Sequence, residues 1–229
     1  MPVILLASNN HGKLHEIQTL FNRLPDEDEH LRWLSQVKLM LPQQIPLDLE
    51  VREDGLTYAE NAGLKAAAFY RACRERGCLS GAYVVLADDS GLEVDVLRGA
   101  PGVFSARYAP AGVEIPSGRA GDALRRHYLL QQLQPYPQPW TARFHCTIAL
   151  ACADRPIAFV HGVCPGIIQA QERGSGGFGY DPIFFIPHLE KTMAELSTEE
   201  KNRISHRARA VRAAIPVLYQ IFHSFGDFD

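Results

Sequence analysis

Tyr83-Val-Val-Leu-Ala-Asp88-Asp89-Ser90-Gly91-Leu-Glu93-Val-Asp95-Val-Leu97 is the stretch on which the reading of this chain turns. Its β-branched, apolar opening predicts a buried strand. The two carboxylates, followed at once by Ser90-Gly91, predict that the strand ends there in a turn. Adjacent ionised acids repel, so a hard cation, basic side chains or a shared proton must hold them. Open α/β sheets carry their sites along that carboxyl edge. An acidic surface turn is the plain alternative. A site is favoured because phosphate-cradling and basic stretches recur elsewhere in the chain.

The 229 residues suit one large α/β domain or two small ones. With 46% hydrophobic and 21% charged residues, the composition is that of a globular protein with a sizeable core. A net charge of −3 argues against a general nucleic-acid binder, which needs a basic face. It leaves room for a small anionic substrate held by local positive charge. Cys73, Cys78, Cys146, Cys152 and Cys164 are odd in number and form no C-x-x-C pair, which argues against structural zinc and a disulfide scaffold. The apolar run Val3–Ala7 turns polar at Ser8, too soon for a signal peptide, and no stretch approaches the ~20 apolar residues of a membrane span. The expected setting is a reducing cytoplasm, with no membrane partner.

Outward from the acid pair, Val3–Ala7 predicts a first strand and Ser8-Asn9-Asn10-His11-Gly12-Lys13 a polar loop. Leu14, Ile17, Leu20 and Phe21 then recur at helical spacing. Strand, small-residue loop and helix form the generic anion cradle, with backbone N–H groups and the helix dipole facing a phosphate. No Walker loop is present. Residues 25–35 read as an acidic, exposed excursion, and Leu47–Val51 as a strand. Thr57 and Glu60 form a capping box that opens a helix to about Gly77, packed through Leu64, Ala67, Ala68 and Ala72. Asn61 and Lys65 share one side of it. Ala120–Leu133 predicts a helix, and Phe144–Ala151 and Ile157–Val163 paired strands. Gly174–Pro182 is a glycine-rich loop carrying Phe178, Tyr180 and Asp181. A final helical region begins at a second capping box, Ser197 with Glu200, or restarts at Ser205; Pro216 should kink or restart it. With no repeat and no long linker, residues 1–229 read as a single unit.

Cations Lys13, Lys65, Arg107, Lys201 and Arg207, set beside acids Glu53, Asp88, Asp89 and Asp181, suit a triphosphate with Mg²⁺, which prefers one or two carboxylates plus phosphate oxygens. Four stretches carry a closer likeness: Ala7–Lys13, Ala87–Leu92 with Gly99–Tyr108, Gly176–Phe184, and Ser205-His206-Arg207. In order and spacing they resemble the inosine triphosphate pyrophosphatase family, the house-cleaning XTP/dITP diphosphatases. The likeness spans nearly the whole chain, and its second and third motifs are long and specific. It implies a long mixed twisted α/β sheet flanked by helices, two lobes with an active-site cleft between them, and a homodimer. It also implies Mg²⁺-dependent hydrolysis of ITP, dITP or XTP to the monophosphate and pyrophosphate.

Carried over by motif, Ser8, Asn9, Asn10, His11, Gly12 and Lys13 would cradle phosphates, and Lys65 and Arg107 would neutralise them. Asp89 would be the metal-binding catalytic acid, with Asp88 beside it and Ser90 touching substrate. Phe178, Gly179, Tyr180, Asp181, Lys201, His206 and Arg207 would line the base pocket. Relatives often carry two successive acids before the Asp54-Gly55 turn; here the pair is Arg52-Glu53. Glu53 is therefore the expected second metal carboxylate and Glu50 the fallback. Either Asp88 or Asp89 would accept the proton of an attacking water. Selectivity would rest on the purine six position, where a keto acceptor meets donor-only Arg207 and N1–H meets acceptor-only Asp181. That polarity does not reject guanine. The rivals are a pyrimidine triphosphate pyrophosphatase of the septum-protein type, a nucleotide-binding regulator without turnover, and a kinase, which lacks its loop here.

Overall fold

Strand alternation organises the first part of the chain. In the computed structural model, β1 (Val3–Leu6) and the opening of β3 (Tyr83–Val94) pair in parallel, Val3 opposite Tyr83 and Leu6 opposite Leu86. Ile4, Leu6, Val84 and Leu86 point into one apolar cluster; Val3, Leu5, Ala7, Val85 and Ala87 point into another. The first is roofed by α1 (His11–Glu27) and α5 (His206–Ser224), the second by α2 (Tyr58–Arg76). The structure describes residues 1–225 apart from Asn9 and Asp48, and the side chains of His11 and Glu27 lie outside the description.

The remaining elements are β2 (Lys38–Met40), α3 (Gly118–Leu133), β4 (Trp140–Ala151), β5 (Ala158–Ile168), β6 (Phe184–Ile186), β7 (Lys191–Thr192) and α4 (Thr198–Ile204). Seven strands form one sheet in the order β2-β1-β3-β4-β5-β6-β7. It is mixed, since β1 runs parallel to β2 and β3 while β6 runs antiparallel to β5 and β7. This is the expected α/β class. Two compact units emerge: residues 1–89, 146–162 and 207–229, and residues 90–145 and 163–206. The first holds the two clusters above. The second packs Leu92, Val94, Leu129, Leu133, Phe144 and Phe184 into its own core.

Several sequence expectations need correction. The acid pair does not end its strand: β3 runs on through Ser90-Gly91 to Val94, because Leu92 and Val94 are apolar anchors with 0% exposure. Residues 25–35 are not a loose excursion. Helix α1 continues through Pro25, and Glu29–Gln36 forms a 3₁₀ helix whose Trp33 ring packs edge-on against Tyr219 (5.5 Å) and Phe222 (6.4 Å). The described residues of 47–51 form no strand; the edge strand is β2, and Pro42 and Pro46 lie between it and the buried Leu47. Helix α2 starts and stops where predicted but turns a different face inward: Ala62, Lys65, Ala66, Phe69 and Cys73 are buried, while Leu64 is 43% exposed. At the C-terminal end both capping box and restart hold, with α4 stopping at Ile204 and α5 starting at His206; Pro216 lies inside α5 and does not restart it.

Candidate active site

The period of a strand explains the charge cluster. Asp88 continues the Val84–Leu86 face and so points toward α1 and α5; Asp89 continues the Val85–Ala87 face and points toward α2. Strand β1 ends at Leu6, and Ala7 N–H still bonds to Leu86 O at 2.8 Å. The acids therefore lie just past the carboxyl end of β1, the edge where open parallel sheets place their sites.

On its side, Asp88 is 1% exposed, and its Oδ2 faces Lys13 Nζ at 3.1 Å and the Nε and Nη2 of Arg207 at 3.4 Å each. Arg207, 2% exposed, is also bonded through Nη1 to Glu16. Burial pushes the Asp88 carboxyl up, but Lys13, Arg207 and Lys65 outweigh it and hold it well below the usual carboxylate range. Burial pulls Arg207 down, and Glu16 and Asp88 more than reverse that. Arg207 is thus the counter-charge of Asp88.

Asp89 is the less compensated acid. Its Oδ2 accepts Asn61 Nδ2 at 3.0 Å. Burial raises its pKa, and Lys13, Lys65 and Asn61 only partly offset this, while Glu53 adds to the rise. Glu53 binds Lys65 Nζ at 2.9 Å; Glu50 is exposed. At the start of α1, Asn10 caps the helix by accepting Lys13 N–H at 3.1 Å, Ser8 Oγ accepts Asn10 N–H at 3.2 Å, and the first turn holds no acid that would neutralise the helix dipole. Gly12 lies in this turn. Asn9 and the His11 side chain, also expected here, fall outside the described residues.

In the second unit, the Phe178–Asp181 loop is built around Asp181, 4% exposed, whose Oδ2 accepts Phe178 N–H at 3.0 Å and Lys201 Nζ at 2.8 Å. Lys201 also sits 5.2 Å from the Phe178 ring centroid. Gly177 has φ +69°, and a Cβ there would lie 2.0 Å from Asp181 Oδ2, so both conformation and space require glycine. Tyr180 belongs to the core, its hydroxyl donating to Ser105 O at 2.9 Å. Burial pushes this phenol well above its ordinary range. Buried His206 stacks on Phe144 at 4.8 Å. Arg107 is exposed, its guanidinium 5.2 Å from the Phe104 centroid, and Ser90 is half-buried in β3.

Sequence reasoning missed three residues. Glu16 follows Lys13 by three positions, the spacing of helical neighbours. Asn61 had been placed beside Lys65 but given no role. Arg126 binds Glu172 through two nitrogens and Gly179 O through a third at 2.8 Å, fixing the backbone of the aromatic loop. Its signal was an arginine in register with the buried Leu129 and Leu133.

No group of three or more His, Cys, Asp or Glu among the described residues is arranged to hold a metal ion. Magnesium does not require one, since phosphate oxygens and waters complete its octahedron around one or two carboxylates. Asp89 and Glu53 supply such a pair. The enclosed Oδ1 of Asp88, on the other face of β3, has no hydrogen-bond partner. The donor set fits the ion.

Fold and cluster define an α/β protein whose dense buried charge lies on β3 just past the carboxyl end of its parallel neighbour β1. The chain belongs to the Ham1 family, whose model matches residues 4–217. It is 44% identical over 212 residues to a dITP/XTP pyrophosphatase of Geobacillus kaustophilus, covering 92% of this chain and 91% of that one. Its identity to the protein of that name from Listeria innocua is 39% over 213 residues, with 93% and 92% covered. Among solved structures, a Staphylococcus aureus Ham1 protein superposes with a TM-score of 0.74 at 35% identity over 95% of this chain and 98% of that one. The resemblance read from the four motifs is borne out.

Proposed function

We propose that this protein hydrolyses nonstandard purine nucleoside triphosphates (ITP, dITP and XTP) to the monophosphate and pyrophosphate, with Mg²⁺ held by Asp89 and Glu53. The carrying observation is the split environment of the acid pair: Asp88 is neutralised by Lys13 and Arg207, while Asp89 is buried beside the neutral amide of Asn61. Relatives named dITP/XTP pyrophosphatase support the substrate class.

When bound, the ion polarises phosphate oxygens and makes water a better nucleophile at neutral pH. Asp89 is the acid proposed to take the proton of the attacking water, since Asp88, tied to two cations, is a poor base and holds Lys13 in place. Lys13 and Lys65 offset charge gathering on the departing pyrophosphate, with Ser8, Asn10 and the α1 amino end orienting it. The motif pattern adds Ser90 and Arg107 to phosphate contact, and gives Phe178, Gly179, Tyr180, Asp181, Lys201 and His206 to the base. Lys201 can only donate, so it matches a six-keto oxygen and opposes the amino group of adenine. The reading carries a homodimer in a reducing cytoplasm, consistent with five free thiols, and no nucleic-acid or membrane partner. No helix among the described residues is long and apolar enough to cross a membrane.

A panel of ITP, XTP, GTP, ATP and pyrimidine triphosphates at fixed Mg²⁺, scored for pyrophosphate against orthophosphate, tests the proposal. The expected result is pyrophosphate release from ITP and XTP far above ATP. Orthophosphate alone would mean γ-cleavage and end it; a pyrimidine preference would favour the septum-protein type of activity.

A further inference from the structure

Asn61 is 1% exposed, and both ends of its side-chain amide are engaged. Its Nδ2 donates to Asp89 Oδ2 at 3.0 Å, and its Oδ1 accepts Gly55 N–H at 2.8 Å. Gly55 lies two residues after Glu53, so a single amide joins β3, where Asp89 sits, to the loop that carries Glu53. Space reinforces the clamp: a Cβ on Gly55 would come within 2.7 Å of Asn61 Oδ1 and of Glu60 Cβ. Glu60 is itself fixed, its Oε2 accepting Leu56 N–H at 2.6 Å and Thr57 N–H at 3.1 Å. The loop is therefore anchored to the first turn of α2 by two side chains, one of which reaches Asp89.

We infer that Asn61 is the positioning residue that sets the separation and orientation of the Asp89 and Glu53 carboxylates for a divalent cation. The chemistry requires a group that donates at one end and accepts at the other over one fixed span, which a primary amide does and a carboxylate does not. Partners of this kind typically change metal affinity or activity about 10- to 100-fold when removed. This inference rests on the proposed metal-dependent reading of the site.

The test compares wild type with Asn61→Asp, which keeps the Gly55 acceptor but loses the donor to Asp89, and with Asn61→Ser, which loses both at smaller volume. Mn²⁺ serves as the probe ion: its affinity is measured by calorimetry or by the free-ion paramagnetic resonance signal, on protein shown folded by circular dichroism and without nucleotide. The expected result is Mn²⁺ binding weakened about 10- to 100-fold in both variants. For ITP at saturating Mg²⁺, a lowered kcat with little change in KM is expected beside it. Folded variants that bind Mn²⁺ like wild type would overturn the inference, and so would failure of both to fold, since Asn61 would then be a core hydrogen-bond former. If wild type binds Mn²⁺ and the variants do not, yet ITP yields no pyrophosphate, the positioning role stands and the proposed reaction falls.

Discussion

Asp88 and Asp89 are neighbours with different surroundings, and the difference can be measured. Replacing Asp88 with Asn leaves Lys13 and Arg207 buried beside a neutral amide, which should cost about 3–5 kcal/mol of stability. Asp89 carries the opposite sign. Its folded pKa is raised, so its stabilising contribution is full below the unfolded value near ~3.9 and is lost as pH rises through the folded one. At pH 7 its ionised form opposes folding, and Asp89→Asn in chelator should be no less stable than wild type. Activity should nonetheless fall about 10²- to 10⁴-fold or more with the base removed. Urea unfolding beside a pyrophosphate assay separates the two; equal destabilisation by both substitutions would contradict the division of labour. The charge cluster of Asp88, Lys13 and Arg207 was legible from the motifs that hold these residues, although the turn read after the acid pair was not there. Glu16 and Asn61 were not, because their importance comes from partners at distant positions, Arg207 and Asp89, which no local pattern encodes.

Among the elements, the ends of helices were easier to read than their faces. Thr57 with Glu60 and the left-handed Gly77 mark both limits of α2. Its inward face was misjudged because an alanine-rich helix shows little apolar contrast. Lys65 is buried at 7% exposure through Glu53, an interaction outside the helix. Helix α4 offers a test of the capping logic. Glu200 accepts Lys191 Nζ and Ser197 N–H, each at 2.7 Å, and these bonds lower its pKa to about 2. A depressed acid contributes stability that is full above the unfolded pKa, about 4.3, and fades as pH falls through the folded value. Glu200→Gln should therefore show a lower Tm than wild type at pH 6, with the gap narrowing below pH ~4 and closing near pH 2. A gap unchanged across that range would mean the carboxylate charge is not what holds the cap.

For the whole molecule, connectivity shapes what a stability measurement reports. The chain passes between its two compact units inside β3, β4 and β5 and again between His206 and Arg207. Neither unit is a contiguous segment, so both should respond together when a ligand binds either one. This arrangement was hidden from the sequence, which shows no linker: three boundaries fall within strands and the fourth in the first turn of α5. A slowly hydrolysed ITP analogue with Mg²⁺ at one hundred times its Kd should stabilise the folded state by about 2.7 kcal/mol. At this chain length each kcal/mol moves Tm by about 2–4 °C, so the expected rise is about 5–11 °C in scanning calorimetry. The matching ATP analogue at the same concentration should give a much smaller rise if, as proposed, donor-only Lys201 faces the six position, because it cannot pair with an amino group there. Removing Mg²⁺ should reduce the ITP effect, since the triphosphate would then meet Asp89 and Glu53 with no cation between them. Equal rises for the two analogues would place selectivity in the chemical step rather than in binding, and an unchanged rise in chelator would remove the metal from the site.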